Sequence, residues 1–195
     1  SSVEYVSKCC EVVQDDYDFH LPMGSLGKFF RRKRQSIEKS NNGYLRSNDI
    51  RTKYLRDKLK LRTENQLIGL SWFSKSPIPG TFSRNIGLDK LVECLNNSNT
   101  QFVNLQYGDV RADLKSLYLN TGIKVHNEKY IDNKKDLGGL ASLIMACDHV
   151  VSIDNATVHL AGALGKATSV LLPSDRNWRW GKSDQISYWY KSVKL

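Results

Sequence analysis

The sequence lacks long hydrophobic runs and lacks the residue clusters that hold metals or crosslinks. Its apolar stretches are interrupted by Asp, His or Lys well before the roughly 18–20 residues that a membrane-spanning helix needs. The four cysteines form no CxxC pair, and none has histidines at zinc-finger spacing. These absences argue against a membrane-spanning protein and against a zinc-binding domain. We therefore expect no metal site and no cofactor.

A secretory leader of charged and then apolar residues is also absent, which argues against secretion. Cys94 and Cys147 lie in apolar periodic segments, where a free cysteine is usually a small core residue. Neighbouring Cys9 and Cys10 cannot bridge each other without strain. We expect four reduced cysteines and a cytoplasmic protein, with a peripheral position at the inner membrane as an alternative. Because the sequence opens at Ser1 and not at Met, we expect a trimmed or partial chain.

Positive charge is concentrated in one part of the chain. The 195 residues carry a net charge of +9, and 40% of them are hydrophobic, as in an ordinary globular protein. Residues 24–62 hold 13 basic and 3 acidic side chains, a local charge of +10, so the rest sums to about −1. Such a segment attracts polyanions, including nucleic acid, anionic lipid and substrate phosphates.

The chain divides by pattern into residues 1–62 and residues 63–195. The first part is basic and predicts two helices, at 25–39 and 49–61. In the second of these, four apolar residues form one stripe, and Ser47 or Asn48 can cap the helix. The stripe consists of Ile50, Tyr54, Leu55 and Leu59.

From residue 66 onward, apolar strands alternate regularly with helices. This alternation predicts a doubly wound, Rossmann-like α/β fold with a parallel sheet covered on both faces. The predicted strands are 66–72, 101–106, 123–126, 149–154 and 167–173. With the common strand order 3-2-1-4-5, the sheet changes direction between strands 1 and 4, and ligands bind beyond the carboxyl ends there. The loops 72–86 and 152–157 should therefore flank the site.

The segment 152–159 is the strongest local signal for a binding site. A buried strand ends at Ile153 and a helix begins almost at once, so unpaired N–H groups and the helix dipole can hold a phosphate. Asn155 and Thr157 add short polar side chains, and His159 stands one turn into the helix. A purely structural alternative makes Asp154 the helix N-cap and His159 a hydrogen-bonded core residue.

Two further loops carry polar, charged or aromatic residues. The loop after strand 1 is long for a strand-to-helix connection, and its Ser74, Lys75 and Arg84 could face an anion. An irregular solvated loop is the alternative. After strand 5, Trp178 and Arg179 are residue types that stack on bases and hold phosphates. Packing into the core explains them equally well.

These residues resemble a known family. The run SIDNATVHLAGALGKATSVLLP followed by NWRW, together with IGLSW at 68–72 and LQ at 105–106, is similar to the C-terminal glycosyltransferase-like region found behind tetratricopeptide repeats in bacterial proteins. That region is related to the family 9 heptosyltransferases of GT-B fold. The resemblance runs from about Phe19 to Tyr190. Family members have Asp-Thr where this chain has Asp154-Asn155.

The resemblance implies a nucleotide-sugar donor in this half, with its diphosphate near residues 154–159 and Arg84, and with Gln106 lining the cleft. It also implies a second Rossmann-like half that binds a glycan, lipid or protein acceptor and often supplies the base. This chain has strands for one sheet, so we expect the other half, or helical repeats, to lie outside it. The catalytic residues are therefore unknown.

Three functions follow as hypotheses. The first is the donor-binding half of a metal-independent glycosyltransferase, transferring a hexosyl or heptosyl group. The second is a basic module whose segment 24–62 binds nucleic acid or an anionic surface. The segment has few aromatic residues on which bases could stack, which argues against nucleic acid. The third is a degenerate transferase domain kept as a scaffold.

Overall fold

The structure is a computed structural model that describes residues 21–22, 25–30, 32–33, 43–61, 64–75, 84–181 and 185–195. The chain forms two compact units, Ser1–Ser36 and Ile37–Leu195. In the first unit, the described residues include a four-residue helix α1 (Gly27–Phe30). The rest of the helix predicted at 25–39 lies largely outside the described residues. The boundary between the two units, after Ser36, differs from the division at residue 62 that the sequence pattern indicates.

The second unit is built on a six-stranded parallel sheet with the order β3-β2-β1-β4-β5-β6. This confirms the predicted α/β fold class, and the first five strands follow the predicted order. The sixth strand was not predicted. The strands are β1 (Gln66–Ser71), β2 (Thr100–Asn104), β3 (Val125–His126), β4 (His149–Ile153), β5 (Thr168–Leu171) and β6 (Val193–Lys194). The helices of this unit are α2 (Asp49–Lys60), α3 (Leu88–Leu95), α4 (Arg111–Thr121), α5 (Leu137–Ala146) and α6 (Ala156–Ala163).

Helices cover both faces of the sheet because the central strands are apolar on both sides. Leu67 of β1 packs in a cluster with α2, α5 and the end of α6, whereas Ile68 and Leu70 pack with α3 and α4 on the other face. A third cluster joins β5, β6 and Trp180. Successive strand residues point to opposite faces, so continuous apolar runs are what a doubly covered sheet requires.

Helix α2 belongs to this second unit. Its Leu55 and Leu59 are buried against α5, and the Arg51 guanidinium lies 2.6 Å from the Asp136 carboxylate at the start of α5. Asn48, one of the two residues predicted to cap α2, is its N-cap and accepts a hydrogen bond from the Arg51 amide. The predicted apolar stripe is wrong at Ile50 and Tyr54, which are 84% and 62% exposed. They lie on the side of the helix that faces solvent.

The two described cysteines differ in environment. Cys147 is buried in the core, as predicted, whereas Cys94 is exposed. The prediction for Cys94 was wrong because α3 packs its Leu91 and Val92 against the sheet and turns Cys94 outward. Cys9 and Cys10 lie outside the described residues.

Candidate functional site

The carboxyl ends of β1 and β4 lie side by side, where Ser71 pairs with Ser152. The chain leaves β1 for α3 on one face of the sheet and leaves β4 for α6 on the other. Such a change of direction opens a crevice beyond the strand ends. The described parts of the two loops predicted to flank a site, 72–75, 84–86 and 152–157, lie at or after these strand ends.

Asp154 is the centre of a charged cluster at this point. Its carboxylate is 3% exposed and lies 2.8 Å from the Arg84 guanidinium, which also donates to the Asp154 carbonyl oxygen. The other carboxylate oxygen lies 3.8 Å from Nε2 of His159. The structure thus brings Arg84, from the loop after β1, together with Asp154 and His159, which sequence reasoning placed at the end of strand 4 and in the helix after it.

Burial by itself raises the pKa of Asp154, but its neighbours outweigh burial. Contacts with the His159 ring, the Trp180 indole and Arg84, together with the positive charge of Arg84, lower the pKa to about 2. The carboxylate is therefore ionised at neutral pH. A buried anion of this kind orients the cation and the N–H groups around it.

His159 is held between aromatic rings. It stacks on Trp180, with ring centroids 5.2 Å apart and planes 17° apart, and its Nδ1 lies 3.3 Å from the Tyr190 hydroxyl oxygen. About a third of its side chain remains exposed. The ring is thus fixed in place and still reaches solvent at the start of α6.

Asn155, and not Asp154, is the N-cap of α6. Its Oδ1 accepts from the Thr157 amide, and its Nδ2 donates to the Ser71 hydroxyl and the Phe73 carbonyl. Thr157 is buried directly after it. The Asn155 side chain therefore stabilises the junction of β1 with α6, whereas Ala156, between Asn155 and Thr157, is exposed.

Gln106 is buried and fastens the end of β1. Its Oε1 accepts hydrogen bonds from the Ser71 hydroxyl and from the amides of Trp72 and Phe73. Its Nε2 donates to the Tyr107 carbonyl. Gln106, on the segment after β2, thus fixes the first residues of the loop after β1.

Ser74 and Lys75 begin the loop that follows β1. Asn85 accepts from the Ser74 amide, and the Tyr107 hydroxyl contacts both the Ser74 hydroxyl and the Lys75 amide. Ser74 is buried, whereas Lys75 is exposed. These bonds hold the described start of the loop, and residues 76–83 lie outside the described part of the chain.

The two predicted residues after β5 pack against each other and against Trp189. Trp178 is 73% exposed and packs edge-to-face against Trp189, and the Arg179 guanidinium lies over the Trp178 ring. Trp180, two positions later, is the tryptophan that reaches His159. A short 3-10 helix (Trp178–Trp180) turns these side chains in different directions, which sequence reasoning could not resolve.

A polar cavity of about 280 Å³ lies beyond the ends of β2 and β3. Asn104, Asn127 and Asn133 contribute amides to its lining, and Gln106 connects it to the end of β1. Nδ2 of Asn133 donates to two carbonyls, while its Oδ1 is a buried acceptor without a partner. Sequence reasoning missed this cavity because the asparagines are dispersed and form no motif.

The part of the chain that the structure describes contains no group of three or more His, Cys, Asp or Glu side chains that could hold a metal ion. Nor do those residues include a helix long and apolar enough to cross a membrane.

Comparison with known proteins gives relatives by sequence and by structure. No protein-family model matches the chain. The chain is 28% identical over 181 residues to Protein FlbA of Caulobacter vibrioides, an alignment that covers 92% of this chain and 30% of FlbA. It resembles the structure of E. coli ADP-heptose LPS heptosyltransferase II, with a TM-score of 0.56 and 16% identity, over 77% of this chain and 44% of that one. A family 9 glycosyl transferase from Veillonella parvula gives a TM-score of 0.49 and 16% identity, over 80% and 43% of the two chains.

The chain therefore spans less than half the length of each of these proteins. Its likeness to heptosyltransferase II establishes that it shares the fold of part of that enzyme, in agreement with the fold predicted from the sequence. The expected association with tetratricopeptide repeats stays a prediction.

Proposed function

We propose that this chain is the donor-binding half of a glycosyltransferase of GT-B type, and that it binds a nucleotide-sugar at the carboxyl edge of its sheet. The observation that carries the proposal is the Arg84–Asp154–His159 cluster at the start of α6, at the point where the sheet changes direction. The fold shared with an ADP-heptose heptosyltransferase supports it.

The diphosphate would lie against the N-terminus of α6. Ala156 is exposed there, and the helix dipole favours an anion. The Arg84 side chain is 21% exposed, so one side of its guanidinium can pair with phosphate while the other stays on Asp154. Lys75 is exposed at the end of β1 and adds a second positive charge. Asp154 orients Arg84 and does not itself meet the anion.

The nucleoside would occupy the polar cavity beyond β2 and β3. Gln106 lines this cavity and bonds to the Ser71 hydroxyl, which in turn bonds to Asn155 at the start of α6. One ligand lying across the end of β1 can therefore reach both places. The unpaired Oδ1 of Asn133 is available to an N–H or O–H group of a nucleoside.

In this proposal the chain contributes electrostatic stabilisation. Negative charge grows on the nucleoside diphosphate as the bond to the sugar breaks, and Arg84, the His159 ring and the α6 N-terminus stabilise it in a fixed geometry. Deprotonation of the acceptor hydroxyl requires a base from outside the described residues. We expect the reaction to need no metal.

Thermal unfolding with ADP-, GDP- and UDP-sugars at millimolar concentration tests this proposal. A ligand at about 100 times its Kd stabilises a protein by about 2.7 kcal/mol, which raises the Tm by about 5–10 °C for a domain of this size. Arg84→Gln, Asp154→Ala and His159→Ala should abolish the shift. Lys115→Gln, on the exposed surface of α4, is the matched control and should retain it.

The absence of a shift with every nucleotide would count against donor binding and would favour a degenerate scaffold. The alternative of a basic binding module concerns residues 24–62, many of which lie outside the described residues. It stays a prediction that salt-dependent DNA binding would test.

A further inference from the structure

The His159 ring has a defined partner on each of its nitrogens. Nε2 lies 3.8 Å from the Asp154 carboxylate, and Nδ1 lies 3.3 Å from the Tyr190 hydroxyl oxygen. The face of the ring stacks on Trp180, which holds the plane of the ring. The two nitrogens thus face different partners.

The charge of Asp154 favours one of the two positions for the proton of the neutral ring. An ionised carboxylate beside Nε2 favours an N–H there over a lone pair. Nδ1 of the neutral ring is then an acceptor and needs a donor. The Tyr190 hydroxyl is the group within reach that can supply one.

Tyr190 is well suited to remain a donor. Burial, first, and the nearby Tyr44 raise its pKa far above the ordinary range, so the phenol keeps its proton at neutral pH. A phenol that keeps its proton can donate to a ring nitrogen.

Gly162 gives Tyr190 its place on α6. A Cβ at Gly162 would overlap with the Tyr190 ring, so the ring packs directly on the helix backbone. Gly162 stands three residues after His159 and hence on the same face of α6. The same face of α6 therefore carries His159 and the glycine on which the Tyr190 ring packs.

We propose that Tyr190 is a positioning residue that fixes His159 in the Nε2–H tautomer, with this N–H directed at Asp154 and at the anion bound beside the start of α6. The anion in this statement is the diphosphate of the proposed donor, so that part of the inference rests on the proposed function. The tautomer itself is a property of the unliganded protein.

Nitrogen-15 NMR of the unliganded, histidine-labelled protein tests the tautomer. The chain has four histidines, and His159→Gln identifies the signals of His159. At a pH where the ring is neutral, the wild-type protein should show the Nε2–H form alone. Tyr190→Phe, which keeps the ring, should give a mixture of both tautomers, whereas the exposed Tyr118→Phe should match wild type. A wild-type Nδ1–H signal, or an unchanged spectrum for Tyr190→Phe, would overturn the proposal.

Nucleotide-sugar binding separates this inference from the proposed function. Loss of one hydrogen bond that orients His159 should weaken binding by about 2-fold to 10-fold in Tyr190→Phe, with no change in Tyr118→Phe. If the wild-type protein binds no nucleotide-sugar but shows the single tautomer, the proposed function fails and the positioning role stands. Equal affinity of Tyr190→Phe and wild type would overturn the positioning role in donor binding.

Discussion

The guanidinium of Arg84 lies 2.8 Å from the carboxylate of Asp154, a residue 70 positions further along the chain. A second Arg–Asp pair, Arg111 with Asp109, is equally close at 2.7 Å but stands on the surface. The distances in the two pairs differ by only 0.1 Å, but burial differs, because Asp154 is 3% exposed and Asp109 is 58% exposed. The two pairs should therefore contribute very differently to stability.

Arg84→Met should destabilise the protein by about 3 kcal/mol, because it leaves a buried carboxylate without its cation. Asp154→Asn should cost less, about 1–2 kcal/mol, since the arginine it leaves behind reaches solvent. Urea unfolding measures both values. Arg111→Met is the matched control and should unfold as wild type does. Equal losses in Arg84→Met and Arg111→Met would contradict a structural role for the buried pair.

Stability should fall in acid as Asp154 is protonated. Burial raises the pKa of this carboxyl, but His159, Trp180 and Arg84 lower it from an ordinary value of 3.8 to about 2. A pKa that is lower in the folded state contributes stability that is present above about pH 4 and is lost as the pH falls towards 2. Urea unfolding at pH 7, 4 and 3 should show this decline.

Asp154→Asn should show a shallower decline, and the exposed Asp89→Asn should follow wild type. Asp148 contributes in the same direction: burial raises its pKa, but bonds from the Leu67 amide and Arg56 lower it overall. Some acid sensitivity therefore remains in Asp154→Asn. Identical slopes for Asp154→Asn and wild type would rule out the proposed contribution of Asp154.

Gln106→Leu should cost about 2–4 kcal/mol. The substitution removes the acceptor of the Trp72 and Phe73 amides, and each buried N–H without a partner costs about 1–3 kcal/mol. Gln185→Leu changes an exposed glutamine and serves as the control. Chemical denaturation that gave the two variants the same stability would contradict the fastening role of Gln106.

Cysteine labelling should separate the two described thiols. Burial raises the pKa of Cys147 to about 12, so little thiolate forms and the reagent has no access, whereas Cys94 is exposed. Brief treatment of the native protein with N-ethylmaleimide should modify Cys94 and spare Cys147 until urea is added. Peptide mass spectrometry reads both sites. Native labelling of Cys147 at the rate of Cys94 would show that this part of the core opens readily.

Much of the fold could be predicted because its signals are local. Apolar runs between helical segments predict buried parallel strands, and five such runs, taken in the common doubly wound order, match the first five strands of the sheet. The sixth strand, Val193–Lys194, was missed because a two-residue strand has no periodicity. The exposed Ile50 and Tyr54 were misjudged because a thin apolar stripe does not show which of its edges meets a neighbouring helix.

Part of the candidate site is also set by the local sequence, and part by tertiary packing. A strand that ends at Ile153 and a helix that starts at Ala156 are consequences of the local sequence, and the sequence alone places Asp154 and His159 there. The partners of these residues come from Arg84, Trp180 and Tyr190, which lie on other segments. Only the tertiary structure selects Trp180 over Trp178, because a 3-10 turn directs side chains two residues apart to different places. Hydrophobic patterning is encoded in neighbouring residues, whereas hydrogen-bond partners depend on which distant segments packing brings within 3–4 Å.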